Sequence, residues 1–242
     1  MYFLCKLVSF FIESSNSVKG SKGQQNCSQD VLPNPMGVEI LRGSDGIVDK
    51  DTLRRVQAAA EEFLLNGLLD EAMEVLKELV HPNGMKDVVR CLLNVVVEKK
   101  KEDVEKFYPF IPAMYSCGIL DKAGFHEGLV DFLDGYDDLT VDVPLAGKST
   151  ALLLSHILMN SPNVFDITIF TNIPQENLFT DSPQYIDLIA QILEQVVEKI
   201  STSEAERIYE ILNLNKTFRS RLQAIEDVEH VALKYNLSFL RV

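Results

Sequence analysis

From Asp51 onward, apolar residues return every three or four positions, and several of the runs end in a tight glycine or proline stop. In TLRRVQAAAEEFLLNG, residues Leu53, Val56, Ala60, Phe63 and Leu64 fall on one face of a helix. Asp49 and Asp51 are candidate N-caps ahead of it, and Asn66-Gly67 supplies a left-handed stop. A second helix, LLDEAMEVLKELV, follows at once, with Leu69, Ala72, Met73, Leu76 and Leu79 on its inner face. The turn chemistry of His81-Pro82-Asn83-Gly84 closes it. A connector this short makes the two helices antiparallel neighbours.

The unit recurs. MKDVVRCLLNVVVEKKK reads as a third helix and EDVEKFYPFIPAMYSCG as a fourth, kinked or shortened by Pro109 and Pro112. DKAGFHEGLVDFLDG gives a fifth and, after YDDLTVDVP, LAGKSTALLLSHILMNS gives a sixth. No such hairpin buries its apolar face alone, so the pattern predicts an all-α fold of stacked antiparallel helix hairpins, an α-helical repeat. Residues 163–181 have no helical period and are expected to form an ordered loop, with DITIF a possible short strand that has no evident partner. Ser182-Pro183 then opens PQYIDLIAQILEQVVEKI. Ser203 with Glu206 forms a capping box for EAERIYEILNLN, and a last helix covers about 217–235. The expected organisation is an N-terminal linker over 1–50, disordered in part or whole, a helical domain over 51–161, and a C-terminal helical extension over 162–242 packing on it. The opening MYFLCKLVSFFI is broken by Lys6 and makes a poor secretory leader. Residues 13–30 are polar and Gly/Ser-rich, and Met36 is an in-frame alternative start.

Composition narrows the function classes. The chain is 46% apolar and 24% charged, which is globular rather than disordered, and its net charge is −13. A net anion is a poor ligand for polyphosphate, so direct nucleic-acid binding is not expected. No run approaches the roughly 20 apolar residues of a membrane helix. Cys5, Cys27, Cys91 and Cys117 stand far apart, as do His81, His126, His156 and His230, so no metal site and no redox pair is expected. Dispersed thiols on apolar stretches fit a reducing, cytoplasmic setting. Gly147-Lys148-Ser149-Thr150 echoes the end of a phosphate loop, but the position five before Gly147 is Asp142, whose carboxylate repels phosphate. No catalytic set and no cofactor is expected, and the chain reads as a non-enzyme.

One segment departs from the usual mixture of signs. Asp131, Asp134, Asp137, Asp138 and Asp142 lie close together with no Lys or Arg among them, at the C-terminal end of the fifth helix, where the helix dipole opposes negative charge. Such a local cost marks either caps for the next helix or a docking patch for a basic protein surface. Asp138 and Asp142 are four apart in a connector read as non-helical and stiffened by Pro144.

EFLLNGLLDEAMEVLKEL, VVRCLLNVVVEK and GILDKAGFHEGLVDFLDGYDDLTVDVPLA together resemble the MA-three domain family, found in initiation factor 4G scaffolds and programmed cell death protein 4. The third segment carries the resemblance most specifically, through Phe125, Gly128, Leu133, Asp134, Asp138, Leu139, Val141, Asp142, Val143, Pro144 and Ala146. Leu68 and Gly147 depart from the family pattern, and the acid–apolar–x–apolar–acid element has no second copy. The resemblance implies a HEAT-like α-solenoid and a protein-interaction module, an initiation factor 4G-like scaffold fragment, that binds a DEAD-box RNA helicase of the initiation factor 4A type, chiefly its N-terminal RecA-like half, and regulates translation initiation. It carries the helicase contact onto Asp138 and Asp142, with Asp134 and Asp137 beside them as further partner-binding candidates. A scaffold for another partner in RNA processing, or an inhibitor of the helicase, is the alternative.

Overall fold

The computed structural model describes residues 48–174, 176–223 and 228–240. Nearly all of the expected N-terminal linker therefore lies outside the described residues. Among the described residues every regular element is helical. Helix α1 (Lys50–Asn66) is capped by Asp49, whose carboxylate accepts from the amides of Asp51 and Thr52, and it ends at Gly67 with φ of 74°. Helix α2 (Leu69–Leu79) returns along it. Helix α3 (Met85–Val97) packs on α1 and opens the second hairpin.

The expected fourth helix is two helices. Helix α4 (Lys101–Phe107) stops at Tyr108-Pro109, and helix α5 (Phe110–Ser116) starts afresh. Pro109 lacks the donor an unbroken helix would need, whereas Pro112 sits in the first turn of α5, where the amide would be unpaired anyway. Helix α6 (Lys122–Asp134) is capped by Asp121, helix α7 (Tyr136–Asp142) follows directly, and helix α8 (Ala146–Asn160) closes the third hairpin. The helices α1, α3 and α6 lie side by side, and α2 meets α5 while α4 meets α8, so the hairpins stack.

The extension continues the core. Helix α9 (Pro183–Lys199) packs along α8 and is followed by α10 (Thr202–Asn213), α11 (Lys216–Gln223) and α12 (Val228–Lys234). The last two occupy the stretch expected as one helix, and residues 224–227 between them lie outside the described residues. Ser201, not Ser203, caps α10, accepting from the Glu204 amide, so the capping position falls two residues earlier than the sequence suggested. The ordered stretch 163–181 forms two 3-10 turns rather than a strand, at Ile167–Thr171 and Leu178–Asp181. The Asp166 and Asn177 side chains start them by accepting from the amides of Thr168 and Phe179. The three-residue repeat of a 3-10 turn then lines up Ile167 and Phe170 on one side, with both buried.

Aromatic rings join the two parts. Phe132 meets Tyr136 at 5.7 Å, Tyr136 meets Phe179 at 5.4 Å, and Phe179 meets Tyr185 of α9 at 5.5 Å, each edge to face. The extension thus completes a core shared with the hairpins. Among the described residues no helix is long and apolar enough to cross a membrane.

Candidate partner-docking site

The connector between α6 and α8 was expected to be non-helical, and its central part is helix α7. Local sequence explains this. Tyr136, Leu139 and Val143 recur at three- and four-residue spacing, with Tyr136 buried and the other two packed against the core. Asp137 and Asp138 occupy the first turn, where the dipole favours carboxylates. The opposite face carries Asp138, Val141 and Asp142, all exposed. Asp138 and Asp142 therefore project from the same side one helical turn apart, about 6 Å between their Cβ atoms. Between them Val141 is 80% exposed, and Leu145 just beyond the helix is 42% exposed.

The five clustered carboxylates have separate fates. Asp131 pairs with Lys86 at 2.7 Å and with Arg90 at 3.1 Å, both on α3. The hydrogen bond from Lys86 to Asp131 raises the pKa of the Lys86 ammonium above the usual lysine range. Asp134 accepts the Leu178 amide at 3.1 Å. Asp137 accepts from the Ser182 hydroxyl. Asp138 and Asp142 have no hydrogen-bond or ion-pair partner among the described residues. Neither caps α8, whose N-cap position is Leu145 and whose first amides receive no side-chain cap. Of the four partner-binding candidates, then, the fold ties down Asp134 and Asp137 and leaves Asp138 and Asp142 free.

That freedom has an energetic side. Like charges four apart on a helix repel by roughly 0.2–0.5 kcal/mol. Asp142 also sits at the C-terminal end of α7, against the dipole. Cationic groups on a partner would relieve both.

The phosphate-loop echo is absorbed into structure. Gly147 to Thr150 already belong to α8, so no loop precedes the helix to wrap a phosphate. The Ser149 hydroxyl donates to the Lys99 carbonyl at 2.8 Å, and a Cβ on Gly147 would sit 3.2 Å from the Gln191 side chain. Among the described residues no group of His, Cys, Asp and Glu is arranged to hold a metal ion.

The family model of the MA3 domain matches residues 53–161. Residues 53–161 form an MA3 domain. Helices α1 to α8, except the first three residues of α1, lie within this match, and the free carboxylate pair lies in its last connector. The chain is similar to three MA3 domain-containing translation regulatory factors of Arabidopsis thaliana. Factor 2 is 22% identical over 150 residues, covering 60% of this chain and 21% of that protein. Factor 3 is 28% identical over 113 residues, covering 46% and 16%, and factor 1 is 24% identical over 127 residues, covering 51% and 18%. The chain thus spans about a fifth of the length of the relatives it matches. The family model stops at residue 161, so the 3-10 turns and α9 to α12 lie outside the MA3 domain.

Proposed function

We propose that this chain is a translation-regulating interaction module whose MA3 domain docks, through Asp138 and Asp142, onto cationic groups of a DEAD-box RNA helicase of the initiation factor 4A type. The N-terminal RecA-like half of the helicase is the partner surface, and the work is done in the cytoplasm. The carrying observation is the pair itself: two exposed carboxylates without internal partners, one turn apart on a helix held against the core. The MA3 domain and the printed names of its relatives support the translation setting. Arg or Lys side chains reaching this pair would form charge-assisted bonds, and Val141 between them offers an apolar contact at the centre of the patch.

Titrating purified helicase with the wild-type chain and with an Asp138→Ala, Asp142→Ala variant tests this. Each lost charge-assisted contact is worth about 1.5–3 kcal/mol, so the variant is expected to bind at least tenfold more weakly and to show a shallower dependence on salt. Equal affinity for both proteins overturns the site. Failure of the wild-type chain to bind at low salt overturns the partner.

A further inference from the structure

We propose that the segment Asn177–Ser182, which lies outside the MA3 domain, aims the docking helix, so that Ser182 and its neighbours are positioning residues for partner binding. This rests on the docking role of Asp138 and Asp142 given above. A helix of seven residues is far too short to hold a conformation by itself, so the direction in which α7 presents its carboxylates is set by what it touches. Only Tyr136 of α7 is fully buried, with its hydroxyl beside the Thr150 side chain of α8. Its ring packs edge-on against Phe132 and Phe179.

Leu139 and Val143 pack part-buried against the core, and a further set of anchors comes from one short stretch of the extension. The Asn177 amide group donates to the Val130 carbonyl of α6 at 3.0 Å. The Leu178 backbone amide donates to Asp134 at the end of α6 at 3.1 Å. Phe179 packs edge-on against Tyr136, their rings at 87° to each other. The Ser182 hydroxyl donates to Asp137. All four converge on the corner where α6 turns into α7. Ser182 is the hinge of this bracket, because the same hydroxyl accepts the Gln184 amide at 2.9 Å and so caps α9. One oxygen thereby couples the start of a long buried helix to the first turn of α7. Asp137 also gains from its place beside the N-terminus of α9, where an anion is favoured. The bracket takes up Asp134 and Asp137 and leaves Asp138 and Asp142 for a visitor.

The test is a mutant cycle read by affinity for the initiation factor 4A-type helicase, with thermal melting as the control for folding. Ser182→Ala is expected to weaken binding about three- to tenfold, and Ser182→Thr, which keeps the hydroxyl, to restore it to within about twofold. Asp137→Ala, which cuts the same tie from the other end and leaves the α9 cap alone, is expected to match Ser182→Ala. In an Asp138→Ala, Asp142→Ala background, Ser182→Ala is expected to cost nothing further, because a positioning residue acts only through the groups it positions. If Ser182→Ala fails to fold, Asp137→Ala decides. The proposal is overturned if the acidic double variant binds weakly while Ser182→Ala and Asp137→Ala bind like wild type. It is equally overturned if Ser182→Ala costs as much in the double background as alone. An acidic double variant that binds like wild type sinks the docking role first, and the bracket's function with it.

Discussion

Gly128 shows how much one missing side chain decides. On α6 it faces α3 so closely that a Cβ would stand 2.4 Å from the Val89 Cβ and 2.9 Å from the Lys86 carbonyl oxygen. The second contact is backbone and cannot swing aside, so α3 and α6 would have to part. Gly128→Ala is expected to destabilise the chain by roughly 1–3 kcal/mol, seen as a lower urea midpoint with an unchanged slope. Gly128 was legible in the sequence only as part of a family motif, and its reason lies in a helix some forty residues earlier. The acids show the same division. That the acidic cluster was a candidate followed from local charge, and the family resemblance singled out Asp138 and Asp142 within it. That Asp131 is neutralised by Lys86 and Arg90 followed from neither, because no local pattern announces a pairing across helices.

At the level of elements, breaks and caps were mostly readable, since they obey short-range chemistry. Asp49, Gly67, the Tyr108-Pro109 break and Ser182-Pro183 all stand where local rules put them. Helix α7 was missed because seven residues with one proline nearby look like a loop until Tyr136 finds its pocket. One contact between elements carries a pH dependence. The His156 ring of α8 stacks on Tyr108, at the break between α4 and α5, with centroids 3.8 Å apart. The Lys199 ammonium at the end of α9 donates to the Tyr108 hydroxyl at 3.2 Å. Burial, and secondarily the Lys199 charge, pull the His156 pKa below its ordinary value of 6.5. The folded state therefore favours neutral imidazole. The stabilisation is fully present above pH about 6.5 and is lost as the pH falls below that toward the folded value. Melting temperatures measured from pH 7.5 to 5 are expected to fall, and His156→Gln is expected to make that fall shallower.

For the whole molecule, the consequential fact is that the MA3 domain does not end in solvent at residue 161. Helix α9 lies along α8 and buries Tyr185, Ile186, Leu188, Ile189, Ile192, Leu193 and Val196. Each such side chain is worth about 1.5–3 kcal/mol when taken out of water. A fragment of residues 48–161 would leave the α8 face uncovered. It is expected to melt roughly 10 °C or more below the full chain and to bind a hydrophobic dye, which calorimetry and fluorescence would show. A fragment as stable as the full chain would mean that the extension is only appended.

The sequence by itself determined the helical class, the stacked hairpins, most stops and caps, and the acidic connector, because each follows from interactions within one or two turns of chain. Only the tertiary structure decided which carboxylates remain free. Lys86 and Arg90 lie about forty residues before Asp131, and Leu178 and Ser182 lie 44 and 45 residues after the aspartates they hold. Their approach depends on how whole helices pack, and the short-range code of the chain does not record that.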